Sequence, residues 1–214
     1  MKIYFHLTLE GFTNCYVVVN DDPNVMEALI VDPGKISNEI IDQIENGGYK
    51  LTAVLITHNH TNHVRGLSTL DKIYSPTVYA ADYEIAKSHS VVLHGDGTFT
   101  AAGLEINYFS VPGHTPDSMV YKIGDVIFTG DTLTSGIIGE TTSQYSRKML
   151  SSKIQEKIFS QTDRTVIMPG HGPPTTVLAE KQFNLDITGT NLSATSPKND
   201  VLEHWKRSLE AAGD

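Results

Sequence analysis

The sequence predicts one α/β domain in which two β-sheets pack together and helices cover their outer faces, a four-layer αββα sandwich. Short apolar or alternating segments that indicate strands occur in both halves of the chain, and amphipathic segments that indicate helices follow them. A chain of 214 residues is long enough to bury one sizeable core and short for two independent ones. We therefore assign residues 1–185 to the domain and residues 186–214 to a C-terminal extension.

The first half of the chain begins with a predicted meander of three strands, at residues 2–10, 13–20 and 27–31. A turn at residues 32–34 follows, and Ser37 can cap a helix that closes at residues 47–48. Residues 53–56 are all apolar, as in a strand buried on both faces. The next predicted elements are a strand at 77–80 and a helix at 82–88.

The second half of the chain again contains both predicted strands and predicted helices. Its predicted strands are residues 104–111, 118–123, 126–129 and 165–168, and its predicted helices are residues 145–160 and 175–183. Residues 124–125 predict a tight turn between two strands, and residues 95–97 predict a hairpin turn. A last helix at 200–212 is expected to pack on the domain through its apolar face, although a dimer contact is the alternative. A monomer or a homodimer is therefore expected.

Composition limits the partners. Asp and Glu number 25 against 16 Lys and Arg, so the formal charge of -9 disfavours nucleic acid and anionic lipid. No segment approaches the roughly 18 apolar residues of a membrane span. Cys15 is the single cysteine and cannot form an intrachain disulfide. We expect a cytoplasmic protein that acts on a small molecule, without nucleic-acid or membrane partners.

The strongest functional signal is a histidine cluster directly after the buried strand at 53–56. It consists of His58, His60 and His63. Imidazole is a common ligand of zinc and iron, and a loop after a strand can direct several imidazoles at one ion. A polar surface loop is the alternative interpretation.

Three later residues have similar positions. His114 and His171 each follow a strand that ends in Pro-Gly, and Asp131 follows a strand that ends in Gly. A lone aspartate at a strand end is usually a turn former, so Asp131 is a candidate because of the histidines around it. Four strand ends therefore carry metal-binding groups.

This ordered set resembles the metallo-β-lactamase superfamily, and within it single-domain hydrolases similar to glyoxalase II. The resemblance covers roughly residues 2–183 and implies the metallo-β-lactamase-like αββα fold. The family motif H-x-H-x-D-H matches the histidine cluster with one exception, and the turn at 31–34 also matches. The later family ligands match His114, Asp131 and His171.

The resemblance also implies roles. A first metal would be held by His58, His60 and His114, a second by His63 and His171, and Asp131 would bridge them. The implied ions are one or two zinc, with iron or manganese as alternatives, and the implied reaction is attack of metal-activated water on an ester or thioester. Asp32 is a candidate for orienting a ligand, although its place in Asp-Pro-Gly equally suits a turn residue.

The sequence departs from the family motif at Asn62, where the family has aspartate. An aspartate would supply an anionic ligand and accept a proton from the attacking water, whereas an amide offers a weaker oxygen and no basic site. We expect a functional site in which the second metal binds less tightly, with Asn62 as a ligand of reduced strength.

Two other functions remain open. Persulfide dioxygenases share the fold and hold one iron with two histidines and a carboxylate, for which the matching residues are His58, His114 and Asp131. The other open function is that of a metal-binding protein with weak catalytic turnover. Flavodiiron proteins fit less well because they have Glu at the position of His60. The loop at 132–145 contains no Lys or Arg, so an anionic glutathione group has no evident clamp there.

Overall fold

The computed structural model describes residues 1–9, 11–85 and 89–188. The first sheet contains β1 (Lys2–Thr8), β2 (Thr13–Asn20), β3 (Glu27–Val31), β4 (Lys50–Leu55), β5 (Thr77–Ala80) and β6 (Ser90–Val92). The second sheet begins with β7 (Gly97–Ala101), β8 (Leu104–Ser110), β9 (Met119–Ile123) and β10 (Val126–Gly130). A small hairpin of β11 (Leu133–Thr134) and β12 (Ile137–Ile138) follows, and β13 (Val166–Pro169) and β14 (Thr175–Thr176) complete the second sheet.

Helices connect the strands and lie outside the sheets. They are α1 (Asn38–Asn46), α2 (Thr61–Val64), α3 (Leu67–Ile73), α4 (Gln144–Lys153), α5 (Val177–Phe183) and α6 (Leu185–Thr188). A π-helical turn, Ile154–Ile158, continues α4. None of the helices in the described ranges has the length and hydrophobicity needed to cross a membrane.

Parallel pairs of strands decide where the loops meet. The first sheet has the order β1-β2-β3-β4-β5-β6 and is parallel from β3 to β6. The second has the order β14-β13-β10-β9-β8-β7, in which β10 and β13 run parallel. Because the carboxyl ends of parallel strands share one edge of a sheet, the segments after β3 and β4 are neighbours, and so are those after β10 and β13.

The core has three layers of buried side chains. Between the sheets, Tyr16 and Val18 of β2 pack with Tyr121 and Phe128. The alternate side chains of β2 pack instead against α1 and α3, as the period of two in a strand requires. The outer face of the second sheet packs against α4, the π-helical turn and α5. The predicted αββα sandwich is confirmed.

Two local predictions are wrong. The turn at 95–97 does not close a hairpin, because β6 belongs to the first sheet and β7 to the second. In the described part of the predicted helix at 82–88, residues 83–85 form a turn instead. There, Asp82 Oδ1 accepts a hydrogen bond from the Glu84 backbone N–H at 2.7 Å, a local bond that competes with helix formation. The predicted helix at 200–212 lies outside the described residues.

Candidate metal centre

Six of the seven predicted ligand residues, the five histidines and Asp131, converge where the edges of the two sheets meet. The first sheet contributes His58, His60 and His63 from the segment after β4 and from α2. The second sheet contributes the segments after β8, β10 and β13, which carry His114, Asp131 and His171. Ligand atoms from these residues form two groups, each with atoms within 4.8 Å of one another.

The first group consists of His58, His60, His114 and Asp131. His58 Nε2 lies 2.8 Å from His60 Nδ1, which lies 3.2 Å from His114 Nε2. Asp131 Oδ2 completes the group at 3.7 Å from His58 Nε2 and 3.8 Å from His114 Nε2. The group therefore offers three nitrogens and one anionic oxygen.

The second group consists of His63, His171 and the same Asp131. Asp131 Oδ1 lies 3.4 Å from His63 Nε2, and its Oδ2 lies 3.4 Å from His171 Nε2. Asp131 thus faces both groups. Asn62 borders the second group, with its Nδ2 atom 3.2 Å from His171 Nε2 and 3.0 Å from Thr13 Oγ1.

Hydrogen bonds on the far side of four rings orient them. His58 Nδ1 lies 3.0 Å from Thr57 Oγ1, and His63 Nδ1 lies 3.0 Å from Asp32 Oδ2. The Nδ1 atoms of His114 and His171 lie 2.8 Å and 3.0 Å from the backbone oxygens of Glu140 and Phe12. An Nδ1–H that donates to these oxygens leaves the Nε2 lone pair directed into the centre, which is the form that binds a metal.

Asp32 is buried behind His63 rather than in the open part of the centre. Its Oδ1 accepts the Thr57 backbone N–H at 2.8 Å, and its Oδ2 accepts the Thr57 hydroxyl at 2.7 Å. The residue has a left-handed φ of 51°, a conformation that aspartate tolerates better than most side chains. Asp32 therefore connects the ends of β3 and β4 and orients one ring.

In the ion-free protein, the surroundings of the histidines shift their pKa values in opposite directions. Burial and the neighbouring His63 lower the pKa of His58 to about 2, and burial also lowers the pKa of His60. Burial opposes the charged form of His63, but Asp32 and Asp131 outweigh it and raise its pKa to about 10. An ion must therefore displace a proton from His63, whereas His58 presents a free lone pair at neutral pH.

The centre fits a metal ion. Within the described residues, His63 Nε2 and Asp131 Oδ1 are buried without a hydrogen-bond partner, although they face each other. Unpaired buried polar atoms are costly and usually have a function. In a tetrahedral site with bonds of about 2.0–2.1 Å, ligand atoms lie about 3.4 Å apart. That spacing matches the 3.4 Å between these two atoms.

Comparison with known proteins identifies the family. The model of the metallo-beta-lactamase superfamily matches residues 8–183. The chain belongs to this superfamily. The match includes all six converging residues and all the strands of both sheets except β1, of which it reaches only Thr8.

Relatives in the superfamily include hydrolases. A probable metallo-hydrolase of Bacillus subtilis is 29% identical over 202 residues, covering 84% of this chain and 94% of the relative. A hydroxyacylglutathione hydrolase of Pseudomonas fluorescens is 28% identical over 210 residues, covering 96% and 77%. Among solved structures, the B3 metallo-beta-lactamase BLEG-1 has a TM-score of 0.76 at 26% identity, covering 88% of this chain and all of that one.

Some residues of this superfamily site were not found by sequence reasoning. Thr57 had no predicted role, although it lies between Asp32 and His58 in the hydrogen-bond chain. The position of Thr57, between a buried strand and a histidine, was the one sequence feature that could have indicated this role. The backbone oxygens of Phe12 and Glu140 left no signal, because any residue carries a carbonyl.

Proposed function

We propose that the chain is a zinc-dependent hydrolase of a small ester or thioester. The observation that carries the proposal is the pair of ligand groups sharing Asp131. His58, His60 and His114 would hold a first ion, and His63 and His171 would hold a second. A bound divalent ion would polarise the substrate carbonyl and make hydroxide available near neutral pH.

The protein's own residues would prepare and orient the reactants. Asp131 supplies the anionic charge common to both groups and would partly neutralise the charge of bound ions. Asp32 keeps the His63 ring in place through the 3.0 Å contact with Nδ1. Asn62 can orient the attacking water by a hydrogen bond, but its amide cannot accept the proton of that water.

The second ion is expected to bind more weakly than the first. Asn62 points Nδ2 toward His171, and rotation of the amide by 180° would present its oxygen there. The Thr13 hydroxyl could then donate to that oxygen. A neutral oxygen nevertheless attracts a cation less than a carboxylate does.

The substrate is expected to be small and to carry no anionic group that a Lys or Arg side chain must bind. Arg147, the first cation after the loop at 132–145, is paired with Asp186 of α6. The hydroxyacylglutathione hydrolase among the relatives supports a thioester, at 28% identity. A glutathione group has less support, because the paired Arg147 is not free to bind its carboxylates.

The proposal is tested by metal analysis together with a panel of uncharged and glutathione thioesters. We expect one to two zinc ions per chain and thioester cleavage that stops with a chelator and returns with zinc. His114→Ala should lower kcat/KM by at least about 100-fold, whereas His94→Ala, at an exposed site outside the centre, should not change it. Full activity in metal-free protein, or a zinc-loaded protein inert to the whole panel, would reject the proposal.

A second candidate is a mononuclear iron dioxygenase acting on a persulfide. His58, His114 and Asp131 favour it, since Asp131 Oδ2 lies 3.7 Å and 3.8 Å from the two Nε2 atoms and these residues would supply the two imidazoles and one carboxylate that such an iron requires. This function requires one iron per chain and consumption of oxygen. Bound metal with negligible turnover in both assays would instead indicate a metal-binding protein.

A further inference from the structure

His60 differs from the other histidines of the centre in how its ring is held. Each of the other four has its second ring nitrogen within 3.0 Å of a protein oxygen. Over residues 1–9, 11–85 and 89–188, no group is hydrogen-bonded to His60 Nε2, and the residue is exposed. Apart from the neighbouring rings of His58 and His114, the position of His60 therefore depends on its backbone.

The preceding residue, Asn59, is fixed at two points. Its backbone N–H donates to Asp117 Oδ2 at 2.8 Å, and its side-chain Nδ2 donates to Asp82 Oδ2 at 2.8 Å. Hydrogen bonds to carboxylates are about twice as strong as those between neutral groups. Two carboxylates therefore hold the residue between His58 and His60.

Both carboxylates belong to segments that are themselves held. Asp117 lies three residues after His114, in a loop where Ser118 Oγ accepts the Thr115 backbone N–H at 3.1 Å. The same loop is joined to the His58 segment, because the Met119 N–H donates to the Thr57 carbonyl at 2.7 Å. Asp82, after β5, is held by the backbone N–H of Glu84.

We propose that Asp117 and Asp82 are positioning residues that hold His60 in the metal centre through Asn59. They replace the ring hydrogen bond that orients each of the other histidines. The inference rests on the metal centre of the proposed function. Loss of a group that orients a metal ligand typically lowers metal affinity about 10–100-fold, and we expect that range for the loss of Asp117.

The test measures cobalt binding rather than hydrolysis. Cobalt affinity, from competition with a chelator, and the visible spectrum of bound cobalt are compared for wild type, Asp117→Ala and Asp117→Asn. We expect the alanine variant to bind at least about 10-fold more weakly with altered absorption bands. The asparagine variant retains an acceptor oxygen and should recover most of the affinity. Asp125→Ala, in the exposed β9–β10 turn, is the matched control and should resemble wild type.

A double-mutant cycle with His60→Ala separates positioning from general stability. If Asp117 acts through His60, adding Asp117→Ala to His60→Ala should change cobalt affinity by less than about twofold. Equal losses in both backgrounds, or wild-type affinity in Asp117→Ala, would overturn the inference. If circular dichroism shows Asp117→Ala unfolded, Asp82→Ala, which removes the acceptor of the Asn59 side chain, serves in the same cycle. A wild type that binds no cobalt would reject the proposed function as well.

Discussion

At the scale of single residues, the centre depends on which nitrogen of each histidine carries the proton. The neutral ring has one donor and one acceptor, and a fixed oxygen beside Nδ1 selects the form with its lone pair on Nε2. Asp32 does this for His63, and backbone oxygens do it for His114 and His171. The ligand atoms are therefore preorganised by groups that do not touch the ion.

Asn62→Asp should raise occupancy of the second group. A carboxylate beside His171 adds an anionic ligand, so metal content should move toward two ions per chain and the second ion should bind about 10-fold or more tightly. Elemental analysis and titration with zinc measure this. Asn24→Asp places the same charge at an exposed site and should leave both values unchanged. Equal second-ion affinity in Asn62→Asp and wild type would show that the amide is not the limiting ligand.

At the scale of strands and helices, the positions of the strand ends explain how much of the metal centre the sequence could predict. Strands that end before His58, His114 and His171 place these residues at sheet edges. Parallel pairing brings the segments after β10 and β13 together, and β8 ends at the same edge because β8 and β10 are both antiparallel to β9. The turn at 95–97 was misassigned, because the same Gly-rich signal serves a hairpin and a crossing between sheets. The chain of contacts through Thr57 was not predictable, since a threonine at a strand end has many possible partners.

Close backbone approach at the end of β13 is required for the centre. A Cβ atom at Gly170 would overlap Asp131 Oδ1 and lie 2.7 Å from His63 Cε1, so Gly170→Ala must change the spacing to both ligand side chains. We expect zinc affinity to fall at least about 10-fold, measured by chelator competition.

The control is Gly124→Ala, where the new Cβ meets nothing within 4 Å but φ is +58°. Backbone strain there should lower the free energy of unfolding by about 1 kcal/mol without changing zinc affinity. Unchanged zinc affinity in Gly170→Ala would contradict the close-approach explanation.

At the scale of the whole molecule, the centre lies where the two sheets are also joined by hydrogen bonds, such as the Tyr16 hydroxyl to the Pro169 carbonyl and the Met119 N–H to the Thr57 carbonyl. Three ligand residues come from the first sheet and three from the second. An ion held by both sheets binds the folded protein and not the unfolded chain, so it stabilises the fold by about 2.7 kcal/mol at 100 times its dissociation constant. Stability and metal loading are therefore coupled.

Stability of the ion-free protein should depend on pH with a maximum near 6.5, the ordinary pKa of histidine. Between pH 2 and 6.5, His58 is protonated when unfolded and neutral when folded, so stability rises with pH. Above 6.5, His63 remains protonated in the folded state until about pH 10, so its contribution is lost as pH rises through that range.

Urea unfolding at pH 5, 6.5 and 9 with a chelator measures this profile. Saturating zinc should offset the decline above pH 6.5, because a deprotonated His63 is the form that binds the ion. Ion-free stability that continues to rise up to pH 9 would contradict the assignment of charge to His63.

The chain leaves the first sheet for the second once within the described residues, between β6 and β7. Cleavage at Gly95 would give one fragment with His58, His60 and His63 and another with His114, Asp131 and His171. Neither fragment contains a complete ligand group. Zinc retention by the mixed fragments would therefore report their reassembly. The two fragments could thus serve as a split sensor, in which zinc binding reports the association of two proteins fused to them.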